Sequence, residues 1–167
     1  MPKILKKVFT FIIIIALALL LKKGFNHFFI IYFVSGESME PTLHNTDLLI
    51  CSASPKEDEL AIGDIVCFSY GSNPIKQSLV KRVVAKAGDS ITVKSGILFV
   101  NGIESPWQFE KIKEPDLLDK LYIVPDGYIF CMGDNRNHSY DCRNFGAIKV
   151  STIRGKLINR ISYSKGE

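Results

Sequence analysis

The first 36 residues contain no acidic side chain, and this absence divides the chain into two regions of different charge. Before the first acid, Glu37, the only charged side chains are lysines, at positions 3, 6, 7, 22 and 23. Subtracting these five from the 21 basic residues leaves 16 basic against 17 acidic residues, a net charge of −1 from position 36 onward. A region so close to neutrality has no basic patch for nucleic acid phosphates, so we expect no nucleic acid partner.

Residues that ligate metals or form crosslinks are few. There are three histidines and four cysteines, the latter at positions 51, 67, 131 and 142. Four cysteines could pair in three ways in an oxidising compartment, so their disulfide state stays open, but the first three lie in strand-like segments and we predict that these are buried thiols. Asp134, His138, Asp141 and Cys142 could be imagined as a metal site, yet their spacing is not that of zinc ligands. We therefore predict no metal site at these residues.

One long apolar run is present near the N-terminus. Residues 8–21 are 14 residues without a charge, short of the roughly 20 that cross a bilayer, so a cleaved signal peptide is one interpretation. The other is a retained anchor, since no small-x-small cleavage signal follows and the flanking lysines can snorkel. We predict a basic cytoplasmic segment at 1–7, a transmembrane anchor at 8–27 in contact with the phospholipid bilayer, and an extracytoplasmic β-rich domain at 28–167 of an inner membrane protein.

The region after the anchor has the pattern of β-structure. Its segments are short, rich in β-branched and aromatic residues, and separated by Gly, Pro, Asp and Asn. We predict strands at 47–51, 64–70, 78–87, 90–94, 97–102, 121–125, 127–134 and 152–162, with a hairpin turn at 94–96 and a long loop at 103–120. The expected fold class is therefore mainly β, an antiparallel sheet domain tethered by one N-terminal transmembrane helix.

The sequence "GESMEPTL", residues 36–43, places a serine, Ser38, directly after the apolar region. A serine hydroxyl is a poor nucleophile at neutral pH and requires a positioned base. The candidates are His27, His44, His138, the carboxylates, and a lysine in the strand-like segment "LVKRVVA".

That lysine, Lys81, has apolar neighbours on its face of the predicted strand. Alternate residues of a strand share a face, so Lys81 points the same way as Val83, whereas Arg82 points away and could more easily reach solvent. Apolar surroundings lower the pKa of a lysine, and a neutral amine can remove a proton from serine. The alternative is an edge-strand lysine that snorkels outward.

A third polar segment, "GDNRNHSYDCRNFG", covers residues 133–146. It could be a loop held by its own hydrogen bonds, for example between Asp141 and Arg143. Alternatively, Ser139 could place its oxygen on the amine of Lys81 and orient it. The local pattern does not choose between these roles.

Together, these segments resemble the bacterial type I signal peptidases, also called leader peptidases. That family has an N-terminal anchor, a nucleophile box like "GESMEPTL", a lysine box like "GDIVCFSY...LVKRVVAKAGD" and a closing box like "GDNRNHSYDCRNFG", in this order. The resemblance implies that Ser38 is the nucleophile and supplies an oxyanion N–H, that Lys81 is the general base, and that Ser139 orients the lysine. Asp141 and Arg143 match residues that brace the site.

The resemblance also implies a substrate and a mode of binding. We expect a Ser/Lys serine endopeptidase that binds preproteins as an added strand and removes their signal peptides after an Ala-x-Ala-like motif. The resemblance also implies that no metal, nucleotide or other cofactor is needed. Two departures from the family pattern are visible: Gly36 stands where some members have a hydroxyl residue of the oxyanion hole, and Cys142 stands where many have serine.

Two other functions are compatible with the same residues. The chain could be a specialised peptidase that matures one pilin or conjugation substrate, because its catalytic residues would look the same. It could also be a membrane-tethered signalling protein that cuts itself, although the self-cleaving Ser/Lys repressors carry a DNA-binding domain for which these 167 residues leave no room.

Overall fold

The computed structural model describes residues 2–72, 74, 77–113 and 116–162. Within them, two helices and eleven strands are formed. The helices are α1 (Lys3–Phe28) and α2 (Cys142–Phe145). The strands are β1 (Phe29–Phe33), β2 (Leu48–Ala53), β3 (Ile65–Tyr70), β4 (Gln77–Lys86), β5 (Ser90–Lys94), β6 (Ile97–Val100), β7 (Ile103–Glu104), β8 (Tyr122–Ile123), β9 (Tyr128–Met132), β10 (Ile148–Lys149) and β11 (Ile153–Ile161).

The strands form two antiparallel sheets. The larger sheet has seven strands in the order β1-β2-β11-β3-β4-β9-β10, and the smaller has four in the order β7-β6-β5-β8. The predicted antiparallel β fold class is thereby confirmed. The predicted strands are present with boundaries that are exact or shifted by one or two residues, although the segment predicted at 121–125 forms a strand of only two residues.

Strand β1 is the main element that the sequence reading missed. Its residues belong to the apolar stretch at 28–34, which continues the apolar N-terminal region. In the structure they pair with β2 along the whole strand, from Phe29 opposite Ser52 to Phe33 opposite Leu48. Strand β1 is thus an edge strand of the large sheet, and it leads directly into the segment that contains Ser38.

Two apolar clusters lie on the large sheet. The larger cluster joins β3, β4 and β9 to the small sheet, with Phe68, Val83 and Phe130 all at most 1% exposed. The second contains Met39 and Leu43 of the segment after β1, packed with buried residues of β2 and β3. The segment carrying Ser38 is therefore fixed to the sheet by its own apolar side chains.

Helix α1 contrasts with the rest of the molecule, because the side chains of residues 7–20 are all exposed. Of the helices formed by the described residues, none is long and apolar enough to span a membrane. The transmembrane part of the predicted fold class thus has no support in the structure.

Candidate active site

The structure brings Ser38 and Lys81 into contact. Ser38 lies in the turn between β1 and β2, and Lys81 lies in the middle of β4. The Lys81 Nζ atom is 2.6 Å from the Ser38 Oγ atom and donates a hydrogen bond to it across 43 residues of sequence. This distance is within reach for direct proton transfer between hydroxyl and amine.

The lysine is enclosed by the sheet. Lys81 is only 3% exposed, and Val66, which faces it across the β3–β4 ladder, is fully buried. Burial lowers the pKa of Lys81 because the charged ammonium loses its hydration; the nearby Asp141 carboxylate acts in the opposite direction but has the smaller effect. The outward-snorkelling alternative is wrong for this residue.

The backbone before Ser38 depends on a glycine. Gly36 has φ = +98°, in the left-handed region that L side chains rarely adopt.

After Ser38, the buried Met39 and Leu43 are linked by a hydrogen bond from the Leu43 N–H to the Met39 carbonyl. Within the described part of the chain, the Ser38 N–H has no hydrogen-bond acceptor, so it is free to bind an oxyanion.

The loop after β9 packs directly on the Ser38 turn. The Asn135 N–H donates to the Ser38 carbonyl at 3.2 Å, and the Asn135 side chain donates to the Glu37 carbonyl at 3.1 Å. A Cβ atom on Gly133 would meet the Ser38 carbonyl and the Ser139 side chain closer than real Cβ atoms come. Only glycine therefore allows this approach.

Ser139 lies beside Gly133, on the same side as the Ser38 carbonyl, and its hydroxyl is buried. The Ser139 Oγ atom has no hydrogen-bond partner among the described residues, so the hydrogen bond predicted between Ser139 and Lys81 is not formed here. A buried hydroxyl without a partner destabilises the folded state by roughly 1–3 kcal/mol. The stability of the fold therefore does not explain a serine at this position.

Asp141 and Arg143 form the ion pair that the loop interpretation suggested. Arg143 Nε and Nη2 donate to the two Asp141 oxygens, each at 2.9 Å, and both residues are buried. Asp141 also accepts from the Gly133 N–H at 2.9 Å and caps α2 through the Arg143 N–H at 3.1 Å. One carboxylate thus connects the glycine beside Ser38 to the helix that follows.

A second buried ion pair was missed by the sequence reading. Arg82, expected to reach solvent more easily, is only 5% exposed, and its Nε and Nη2 donate to the two oxygens of Asp134 at 2.8 and 2.6 Å. It also donates to the Gly63 carbonyl at 2.7 Å, and its guanidinium lies 4.3 Å from the centre of the Trp107 ring. Two features of the sequence could have predicted this pair: Arg82 lies within an apolar strand segment, and an acid, Asp134, follows directly after another such segment.

The remaining candidates do not join the site. His44 and His138 are exposed, neither donates to nor accepts from Ser38 in the described residues, and the side chain of His27 lies outside the description. Asp134 and Asp141, the carboxylates of the imagined metal site, are occupied by arginines. Among the described residues, no group of three or more metal-ligating side chains occurs.

All four cysteines are buried free thiols. The Cys51 and Cys67 sulfurs are 3.8 Å apart, a contact but not a bond. Cys142, which stands where many relatives were expected to have serine, accepts a hydrogen bond from the Cys131 N–H at 3.2 Å. The prediction that the cysteines at positions 51, 67 and 131 are buried is confirmed.

An antiparallel β domain with a serine and a buried lysine in hydrogen-bond contact is an arrangement suited to a serine endopeptidase. The family model described as "Signal peptidase, peptidase S26" matches residues 4–162. Signal peptidase I of Bacillus caldolyticus is 35% identical over 140 residues, 75% of each chain. Signal peptidase I of Bacillus amyloliquefaciens is 37% identical over 156 residues, 86% of this chain and 78% of the relative.

A solved structure of a signal peptidase I from Enterococcus faecalis V583 has a TM-score of 0.45 at 24% identity, covering 60% of this chain and 97% of that one. The assignment rests on the family model and the sequence relatives. The chain belongs to the signal peptidase family, peptidase S26, and is a hydrolase of the serine endopeptidase class.

Proposed function

We propose that this protein removes N-terminal signal peptides from exported preproteins, with Ser38 as nucleophile and Lys81 as general base. The observation that carries the proposal is the 2.6 Å contact between the Ser38 hydroxyl and a lysine amine that is 3% exposed. Because burial lowers the pKa of Lys81, its neutral form is more accessible near neutral pH than that of a solvated lysine.

Apart from water, the chemistry needs no group from outside the protein and its substrate. Lys81 takes the proton of Ser38 as Oγ attacks the scissile carbonyl, and the Ser38 N–H stabilises the oxyanion that forms. The Lys81 ammonium then gives its proton to the leaving amine. Lys81 next removes a proton from the water that attacks the acyl-enzyme, and it returns this proton to the Ser38 Oγ atom as the bond from Oγ to the acyl carbon breaks. Ser139, whose buried hydroxyl has no partner among the described residues, orients the amine between these steps.

Substrate binds in the extended conformation, beside the site. Strand β1 is an edge of the large sheet and runs directly into the Ser38 turn, so a peptide that adds to this edge passes the nucleophile. In this pose, shallow pockets accept small side chains at the first and third positions before the cut, the Ala-x-Ala pattern.

The enzyme acts at a membrane surface. The exposed apolar side chains of residues 8–20 pack against nothing in the described molecule and are suited to lipid. Residues 8–21 extend about 21 Å as a helix, so the flanking lysines would snorkel to reach the headgroups. We place the N-terminus in the cytoplasm and residues 28–167 outside it, held at the inner membrane by the anchor at 8–27.

The test is to incubate membranes that contain the protein with a panel of preproteins and to sequence the products. Cleavage after Ala-x-Ala motifs that disappears in Ser38→Ala supports the proposal. Processing of a single preprotein would indicate a specialised peptidase, and undiminished cleavage by Ser38→Ala would refute the assignment.

Topology is tested separately in intact cells. Protease added outside the cytoplasmic membrane should digest the domain beyond residue 36. A domain that is protected until the cells are lysed would contradict the proposed orientation.

A further inference from the structure

A cavity of about 230 Å³ opens beside the loop after β9. Its described lining is polar and includes three cationic side chains, those of Lys113, Arg136 and Arg143, together with the exposed His138 and the neutral Asn137. No acidic side chain is part of this lining. A polar cavity of this charge is suited to an anion.

Arg136 lacks a counter-charge of its own. It is 1% exposed, forms no ion pair within the described residues, and its Nε atom is buried without a hydrogen-bond partner. Its Nη2 atom donates to the Trp107 carbonyl, and its other nearby acceptor is the weak Met132 sulfur at 3.9 Å. Burial lowers the pKa of Arg136 to about 10 because the guanidinium loses its hydration; the Asp134 and Asp141 carboxylates act in the opposite direction but have the smaller effect.

The neighbouring carboxylates are already bound elsewhere. Asp134 is held by both donors of Arg82, and Asp141 is held by Arg143. Glu110 receives two hydrogen bonds from Asn137, at 3.0 and 2.7 Å, and lies behind that residue rather than in the lining. Neither acid of the two ion pairs is free to balance Arg136.

The Glu110 carboxylate partly offsets the positive charge at the exposed rim of the cavity. Partial burial acts to raise the pKa of Glu110, but the hydrogen bonds from Asn137 and the charges of His138 and Lys113 lower it overall. Among the described residues at this cavity, Lys113 and Arg136 carry two positive charges against the one negative charge of Glu110.

We propose that this cavity is a binding site for a phosphate group, either inorganic phosphate or the phosphate of a phospholipid headgroup. A guanidinium and an ammonium are the side chains that proteins use to bind phosphate. The volume exceeds the roughly 30 Å³ share of one water several-fold, so it has room for a phosphate and an attached small group.

Occupancy would affect the loop that contacts the nucleophile turn. Ser139 and Arg143 line the cavity, and the same loop donates from Asn135 to the Ser38 carbonyl. An anion that joins Lys113 to Arg136 would therefore link the loop after β9 to the segment before residue 114. The site itself does not depend on the catalytic assignment, because binding can be measured without turnover.

The test measures phosphate binding to the full chain in detergent. Melting temperature and equilibrium dialysis with radioactive phosphate are followed at constant ionic strength, with chloride as the balancing ion. We expect saturable uptake of one phosphate per chain and a rise in melting temperature that follows the same saturation. Acetate at equal ionic strength is the carboxylate control, and equal protection by acetate would overturn the assignment to phosphate.

Two charge reversals on one segment provide the matched comparison. Lys113→Glu removes a lining cation and should weaken phosphate binding roughly 10- to 100-fold, the scale of one lost charged hydrogen bond. Lys111→Glu makes the same change at an exposed residue outside the lining and should leave binding nearly unchanged. Absence of saturable uptake, or equal weakening by both variants, would show that there is no such site.

Vesicles distinguish the two sources of phosphate. Both variants and the wild type are sedimented with phosphatidylglycerol vesicles in the presence and absence of inorganic phosphate. A lipid ligand predicts weaker sedimentation of Lys113→Glu than of Lys111→Glu, and competition by phosphate. Equal sedimentation, with the difference retained in dialysis, assigns the site to free phosphate.

Discussion

Lys81 and Arg82 are neighbours on β4, and their side chains leave the strand on opposite faces. Both are buried cations, 3% and 5% exposed, but their surroundings differ. Arg82 meets a carboxylate with two hydrogen bonds and a tryptophan ring, whereas Lys81 meets a serine hydroxyl.

The difference in surroundings matches the two roles proposed for these side chains, Lys81 as a base and Arg82 as a structural support for the site. Burial without a directly bonded carboxylate lowers the pKa of Lys81 and prepares it to act as a base. The bidentate contact between Arg82 and Asp134 fixes the loop that carries Gly133 and Asn135 against the Ser38 turn. One strand thus supplies the proposed base and the support for its partner.

The largest expected effect is on turnover, when Lys81 is replaced by an arginine like the one at position 82. Lys81→Arg introduces a guanidinium that stays protonated in proteins, so turnover should fall by at least the ~10²- to 10⁴-fold that general-base catalysis supplies. Ser38→Ala should abolish cleavage. Rates are measured on a preprotein, with Lys86→Arg on the same strand as the control. Normal turnover by Lys81→Arg would rule out the lysine as base.

Breaking the bracing pair should act on stability. Asp134→Asn leaves the buried Arg82 without its counter-charge, so the free energy of unfolding should fall by about 3–5 kcal/mol. Denaturant unfolding measures this change. Lys156→Met removes the partly exposed partner of Asp64, and its cost should stay near the ~0–1 kcal/mol of surface pairs. Equal costs for the two variants would contradict the comparison.

Ser139→Ala tests whether the amine of Lys81 is oriented by a hydroxyl. Because the Ser139 Oγ atom is buried without a hydrogen-bond partner among the described residues, its removal should not lower the melting temperature. If it aims the lysine, turnover should fall by much of the ~10²- to 10⁴-fold supplied by the base. Cys142→Ser is the control and should leave the rate almost unchanged. Full activity with a lowered melting temperature would assign Ser139 a structural role.

The pH dependence of turnover should follow the lowered pKa of Lys81. Only the neutral amine accepts a proton, so the rate should rise about tenfold per pH unit below that pKa and level off above it. The pKa of free lysine, about 10.4, is the reference. A rate that continues to rise up to that reference value would show that burial does not tune this lysine.

The smallest expected effect concerns the ring that covers Arg82. Trp107→Leu removes the cation–π contact at 4.3 Å and should destabilise the fold by about 1–2 kcal/mol. Trp107→Phe keeps an aromatic face and should cost less. If both variants lose the same stability, the ring acts only through its apolar area.

Local features of this protein were determined by the sequence alone. The turn after Lys94 has φ = +52° at Ser95 and +79° at Gly96, which is the hairpin conformation that the Ser-Gly pair predicted. The Asp141–Arg143 pair was also accessible, because the two residues are only two positions apart. Ser38 and Lys81 were named as candidates from their motifs and from strand alternation.

Long-range contacts were decided by the tertiary structure. Arg82 and Asp134 are 52 residues apart, and no periodicity states which carboxylate will meet a buried guanidinium. In the sequence, the residues of β1 cannot be told apart from the apolar N-terminal region. Only the pairing with β2 in the folded protein makes them a strand. The sequence of a segment determines which side chains it contains and which of them share a face. The partner of a strand edge or of a buried charge is determined by packing between distant segments. The choice is strict because a polar group that is buried without a partner loses its hydration and gains no hydrogen bond in return.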